Sequence, residues 1–377
     1  MSCEPGKRRP IVLPIVQPPP LTSPFIAVTA SIAAVATMAG AEPLLLRVDQ
    51  AEPRYNETLQ TAVAACAADT VGQTCYICLG PGDEGEGLVR GCACRGTAGF
   101  AHVSCLARQA QITVERDHGL RWVRWSTCNL CKQQYHGVVL CALGWACWKT
   151  YVGRPEGNWL RRGAINLLGN GLHDADHHQD ALSVREAELS LKRRLNAPEE
   201  SILIVQANLA SSYEHVGRTE EALSLQRDVY LGFQRLSSSF GEECLETLVV
   251  ATNYARDLLD LRRFEEAKSL LRKNVPVARR VLGESNQITL AMRWDYAAAL
   301  YLDDSSTPDD LREAVATLED AGRTARRVFG GAHPTATGIP LCLQDARAVL
   351  RAREEAAPDD VSSVCKGVAA MRTPGDA

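Results

Sequence analysis

The chain lacks any large excess of one charge sign: 41 Lys and Arg stand against 45 Asp and Glu, for a net charge of −4. That balance gives no basic footprint for binding nucleic acid by bulk charge, so no nucleic-acid partner is expected. A strongly apolar run long enough to cross a bilayer is also missing, since a span needs roughly 20 predominantly apolar residues. The run from Phe25 to Ala41 is mostly Ala and Thr, and the run from Gly137 to Trp148 is only twelve residues long. A membrane partner is therefore not expected either. The evenly spaced cysteines of a small secreted disulfide scaffold are absent as well. In the carboxy-terminal half, no side chains show the spacing of a general acid–base pair or an activated nucleophile.

What the chain does have is cysteine, unevenly placed. Of fourteen, seven fall within residues 75–131, and seven are scattered at 3, 66, 141, 147, 244, 342 and 365. Clustered pairs beside a histidine point to metal in a reducing, cytoplasmic setting. The amino terminus offers an alternative address. Lys7, Arg8 and Arg9 precede a proline-rich QPPPLTSP and an apolar run ending Ala39-Gly40-Ala41, which resembles a targeting segment with a small-residue cleavage site. Prolines separate the charges from the run, so residues 1–70 are read as a disordered or targeting leader, and 356–377 as a disordered tail.

The metal pattern is Cys75-x2-Cys78, Cys92-x-Cys94, His102-x2-Cys105 and Cys128-x2-Cys131, four pairs in order. A short C-x-x-C turn places two thiolates on one ion, and a closed zinc site takes four such ligands. Eight ligands thus predict two structural zinc ions. Arg90, Arg95, Arg108 and Lys132 lie near the ligands in sequence and could offset the surplus thiolate charge. Within a module placed at residues 71–136, residues 75–131 alone are too few for a hydrophobic core to stabilise, so metal would supply about 10–16 kcal/mol per ion toward folding. Cys141 and Cys147, in the apolar stretch HGVVLCALGWACWKTY, are expected as buried inert thiols rather than nucleophiles. His118 and His136 are expected to make local polar contacts.

With C-x-C as the second pair, CRGT at Cys94–Thr97 and FAHVSCL at Phe100–Leu106, this region resembles the RING-CH, or RING-variant, domain of ubiquitin ligases. The resemblance implies a cross-brace, with Cys75, Cys78, His102 and Cys105 on one zinc and Cys92, Cys94, Cys128 and Cys131 on the other. It also implies a ubiquitin-conjugating enzyme as partner, held with its ubiquitin thioester open to attack and with no covalent ligase intermediate. Ile77 matches the family's apolar contact to that enzyme. Lys132 stands where many RING ligases carry a basic linchpin. One departure is Gln109, at a position usually held by tryptophan; Trp122 and Trp125 lie later, in LRWVRWSTC, and either could replace that contact, or the surface could be weakened. A PHD finger uses the same ligand order, but its aromatic residue two before the seventh ligand is here Ser126.

Residues 137–156 predict a buried apolar helix leading into a repeat region over 157–355. QANLASSYEHVGRTEEALSL and ATNYARDLLDLRRFEEAKSL align, with AMRWDYAAALYLDDSSTPDDLREAVATL as a third copy. Asn166, Asn208, Asn253 and Asp295 form one ladder, with steps of 42, 45 and 42 residues, and Ala181, Ala222, Ala267 and Ala314 form a second. A fixed period of this size predicts stacked helix pairs sharing a continuous core. Gly241, Gly283 and Gly330 are placed as helix stops. The repeats resemble tetratricopeptide repeats of the kinesin-light-chain type, which implies a concave groove for a protein substrate or adaptor. The polar ladder is expected either to line that groove or to bond between neighbouring repeats. The acidic DDSSTPDD is read as a solvated loop, and His173, His177 and His178 of HDADHH as exposed.

The predicted fold class is mainly α: a small two-zinc cross-brace module followed by a helical solenoid. The predicted function is a RING-CH-type ubiquitin ligase whose repeats capture substrate. The alternative is a non-enzymatic zinc-finger and repeat scaffold.

Overall fold

The computed structural model describes residues 44–81, 85–117, 122–240, 245–329 and 334–356. The apolar run at 25–41, the tail, His118, Gly241 and Gly330 fall outside them. Among the described residues the regular structure is helical, with only isolated β-bridges and no sheet. The chain divides into two compact units, and the boundary falls between Val229 and Tyr230.

In the first unit α1 (Val48–Thr70) corrects the expectation of a leader running to residue 70. This helix buries Ala51, Tyr55 and Ala62 and packs on α3 (Gly137–Tyr151). Lys149 of α3 ties it down with a 2.9 Å ion pair to Glu52 and a position 4.2 Å over the Tyr55 ring. Between them lies the cysteine-rich module, whose one long helix is α2 (Val103–Arg116). Its apolar face, Val103, Leu106, Ala110 and Val114, is buried, at the three- and four-residue spacing of a helix with one side in a core.

Helix α3 has no polar face: Val139 through Trp148 are all buried. A helix apolar all round must be enclosed by other elements, and α1, α2 and α4 (Trp159–Asp174) enclose it. The approach to α4 is close because glycine lines it: a β-carbon on Gly144 would lie 3.1 Å from the Leu168 Cα. Trp122 and Trp125, in a single 3-10 turn, close the side of this core, edge-on to Trp159 and Tyr151 respectively at 5.8 Å.

From α4 onward the helices come in pairs. α4 is followed by α5 (His178–Arg194), α6 (Glu199–His215) by α7 (Thr219–Phe240), α8 (Leu245–Asp260) by α9 (Phe264–Leu282), and α10 (Gln287–Tyr301) by α11 (Pro308–Phe329), with α12 (Pro334–Ala356) last. Asn158 and Asn286 cap α4 and α10 by accepting the N–H of Leu160 and Ile288 at 2.9 and 2.8 Å. The alanine ladder Ala181, Ala222, Ala267 and Ala314 lies on the second helix of each pair, and every member is fully buried. A methyl there lets neighbouring helices approach where a larger side chain would hold them apart. Gly283 closes α9 at φ 85° and ψ 162°, a conformation open essentially to glycine alone. It is not the left-handed helical stop expected of it.

The loop DDSSTPDD joins α10 to α11, but it is not simply solvated. Ser306 is buried, and Asp303 pairs with Lys268 at 2.9 Å. No described helix is long and apolar enough to cross a membrane.

Candidate metal centre

Two knuckles built on one plan carry four of the eight predicted ligands. In the first, the Cys75 N–H donates to the Gly80 carbonyl at 2.9 Å and the Leu79 N–H to the Cys75 carbonyl at 2.8 Å. In the second, Cys128 donates to Gln133 at 2.9 Å and Lys132 to Cys128 at 3.1 Å. Each turn closes through one residue of positive φ, Leu79 at 64° and Lys132 at 61°. The antiparallel bridges Thr74–Pro81 and Thr127–Gln134 seal the two turns at equivalent places.

The remaining ligands come from a loop and from the start of α2. His102 immediately precedes α2 and Cys105 sits in its first turn, where the positive end of the helix dipole favours a thiolate. Cys92 and Cys94 sit on a loop that Gly99 makes possible. At φ 87°, a β-carbon on Gly99 would fall 2.5 Å from the Cys94 Cβ.

The structure gathers these residues as Cys75, Cys78, His102 and Cys105, and as Cys92, Cys94, Cys128 and Cys131, each set with its ligand atoms within 4.8 Å of one another. Finer distances test the fit. Thiolates about 2.3 Å from a tetrahedral zinc stand about 3.8 Å apart, and a thiolate and an imidazole nitrogen stand about 3.5 Å apart. Cys94 and Cys128 are separated by 3.8 Å, and His102 Nδ1 lies 3.4 Å from Cys78 Sγ and 3.7 Å from Cys105 Sγ. The donor sets therefore fit zinc in a closed, four-coordinate form. Nε2 of His102 lies 3.3 Å from the Pro81 carbonyl, an acceptor that leaves Nδ1 free of a proton to face the cluster.

Local donors prepare the sulfurs. Burial acts to raise the Cys75 thiol, but the backbone N–H groups of Cys78, His102 and Ile77 outweigh it and bring its pKa to about 7. Burial pushes Cys105 the other way, up to about 12; a bound cation would deprotonate it regardless. Cys141 and Cys147 lie buried in α3. Burial pushes Cys141 up to about 12 and Cys147 well above the ordinary thiol value, which leaves neither as a nucleophile.

The residues expected to touch a partner are less uniform. Ile77 is half-buried and packs against the shared core. Lys132 is exposed, and its Nζ is held on Asn129, by the backbone carbonyl and by Oδ1 at 3.3 Å. Leu79 and Leu130, which the sequence reading did not single out, are exposed at 76% and 48%. Trp122 and Trp125 are buried, so neither offers the exposed aromatic surface that Gln109 lacks. Arg90 is committed locally, donating to the Gly96 carbonyl at 2.7 Å and stacking 4.2 Å over Phe100.

The polar ladder corrects the groove expectation. Asn166, Asn208, Asn253 and Asp295 are all buried, at 7, 3, 4 and 0% exposure, and offer almost no surface to a ligand. Asn166 donates to Glu188 of the paired helix at 3.3 Å, and Asp295 accepts from Arg256 Nε at 3.2 Å. Asn166 and Asp295 thus bond between helices, as a buried polar group that finds a partner does.

Residues 75–131 match the RING-variant domain, and residues 247–287 match a tetratricopeptide repeat. No curated protein matches the chain. Among solved structures, BtubC (BKLC) from P. vanneervenii is similar at 14% identity and a TM-score of 0.41, with 73% of this chain and 92% of that one covered. A kinesin light chain of Podosopora anserina with nearly identical TPR-like repeats is similar at 18% identity and a TM-score of 0.40, with 60% and 95% covered. The chain thus carries a RING-variant module and tetratricopeptide repeats.

Proposed function

We propose that this chain is a RING-type ubiquitin ligase that binds two structural zinc ions, docks a charged ubiquitin-conjugating enzyme, and captures substrate or an adaptor through its repeats. The observation that carries this reading is the pair of interleaved donor sets, each closed at four ligands. A closed site leaves no coordination position for water or substrate, so zinc would act by shaping the docking loops rather than by entering the reaction. The rate gain would then come from orienting the thioester toward a substrate amine. Ile77, with the exposed Leu79 and Leu130, would supply apolar contact to the conjugating enzyme. Lys132 would have to release Asn129 in order to reach across to ubiquitin. Reduced thiolates shared between two four-ligand zinc sites favour a cytoplasmic setting.

The test is autoubiquitination by the zinc-loaded full chain with a panel of conjugating enzymes. Activity with at least one is expected, and Ile77→Ala should reduce it about tenfold or more while both zinc ions remain bound. Silence with the whole panel overturns the reading.

A second reading, a non-enzymatic scaffold, is favoured by one observation: Gln109 replaces the expected tryptophan, while Trp122 and Trp125 are buried in the core. On that reading Ile77→Ala leaves partner capture by the repeats intact, and no transfer exists to lose.

A further inference from the structure

Three imidazoles from three successive helices meet within the first unit, outside the eight ligands described above. His173 stands in the last turn of α4, His178 opens α5 and His215 closes α6. The ring centroids are 4.5 Å apart for His178 and His215, 4.6 Å for His173 and His215, and 5.3 Å for His173 and His178.

Imidazole nitrogens bind a transition metal at about 2.0–2.1 Å, which sets the ring centres about 3.2 Å from the ion and about 5 Å from one another in a tetrahedral arrangement. The observed ring-centre separations are close to that value. Packed aromatic rings reach similar distances without metal, so the surroundings must decide between the two.

Those surroundings admit a cation, although the buried Arg185 adds positive charge near His178. His215 Nδ1 lies 2.8 Å from the Ser211 carbonyl. A carbonyl only accepts, so Nδ1 carries the proton and Nε2 keeps a free lone pair, the usual state of a metal-binding histidine. His178 Nδ1 is buried and has no hydrogen-bond partner among the described residues. Burial, and after it the neighbouring His215, lower the His178 pKa and favour its neutral ring. Asp176 brings a carboxylate 3.7 Å from His178 Nε2. The carboxy-terminal ends of α4 and α6 both point negative dipole here. The amino-terminal end of α5 opposes them, offset by Asp180 in its first turn.

We infer that His173, His178 and His215 form a nitrogen-donor site for a first-row divalent transition metal, with Asp176 within reach as an oxygen ligand. Among the described residues only the two cysteine-bearing sets bring every ligand atom within 4.8 Å, so the three imidazoles as they stand do not close on an ion, and binding would require His173 and His178 to turn toward His215. Metal bound there ties the ends of three helices together and stiffens the first two repeats. Imidazole ligation suits zinc, nickel, cobalt or copper.

Cobalt(II) is the probe, added to the zinc-loaded full chain. A nitrogen and oxygen site gives visible d–d absorption without the thiolate-to-cobalt charge-transfer bands that the cysteine sets would add. One equivalent should bind with that signature and raise the melting temperature. His178→Ala and His215→Gln should each weaken binding about tenfold or more, with helix content and the metal content of the cysteine sets unchanged. Equal uptake by the wild type and by the triple variant H173A/H178A/H215A overturns the site, as does binding that carries thiolate bands. Neither result touches the ligase reading, which rests on different residues.

Discussion

Gly171 of α4 meets Cys141 of α3 backbone to backbone: a β-carbon at 171 would lie 2.9 Å from the Cys141 Cα and 2.9 Å from the Leu140 carbonyl oxygen. Neither neighbour is a flexible side chain that could swing aside. Gly171→Val should therefore force the two helices apart and cost about 1–3 kcal/mol, as overpacking does. Gly153→Ala, where nothing lies within 4 Å of the added carbon, should be close to neutral. Urea denaturation of the two variants checks both; an unchanged midpoint for Gly171→Val would contradict the close approach.

Metal removal should unfold more than the cysteine loops. Cys75, Cys92 and Cys128 belong to the same buried cluster as Leu143 and Trp148 of α3 and Leu168 of α4. Chelation, or Cys128→Ser, is expected to abolish amide exchange protection over residues 75–131 and to weaken it in α1 and α3. Protection in α8 to α11 should persist. Hydrogen exchange read by mass spectrometry decides the matter, and full protection over 75–131 after chelation would count against metal-dependent folding.

The Arg256–Asp295 pair is almost completely desolvated, with side chains 10 and 0% exposed. Removing one partner of such a pair strands the other charge in a low-dielectric interior. Asp295→Ala should cost about 3–5 kcal/mol, and Asp295→Asn, which keeps an acceptor, should cost less. Equal losses for the two variants would show that shape rather than charge matters at this position.

Asp303 predicts an acid-sensitive contribution to stability. Burial acts to raise its pKa, but hydrogen bonds from Lys268 and from the Ser305 hydroxyl and N–H outweigh it and bring the value to about 2, from an ordinary 3.8. The folded state therefore holds this proton less readily than the unfolded chain does. The stabilisation, about 1–2 kcal/mol, is fully present above pH 4 and is lost as pH falls toward 2. Asp303→Asn should lower stability at pH 5 and leave it nearly unchanged at pH 2; denaturant midpoints at both values measure the difference.

The metal centre was legible because its information is local. Paired cysteines at fixed short spacing dictate a turn, and the same turn recurs at Cys75 and at Cys128. The alanine ladder was legible because the repeats print it four times. Helix α1 was not. It begins without a side-chain cap, contains Pro53 and buries only three residues, so its stability comes from α3 and the metal module rather than from a strong pattern of its own. The polar ladder was legible as a pattern but not in its role: a regular polar residue in an apolar helix suits either an exposed groove or bonding between helices, and Asn166 and Asp295 find Glu188 and Arg256 inside. The histidine cluster is not visible in the sequence because His215 lies two helices beyond HDADHH, at the end of α6, and only folding brings it back.

The enclosure of α3 by α1, α2 and α4 also leaves the cysteine module without a swivel on the first repeat. A tethered docking domain would be tuned by how far its linker stretches; here the setting is an angle. One residue inserted into α3 would turn everything before it by about 100° around the helix axis, so the bearing of the cysteine module on the first repeat is written into the helix length itself.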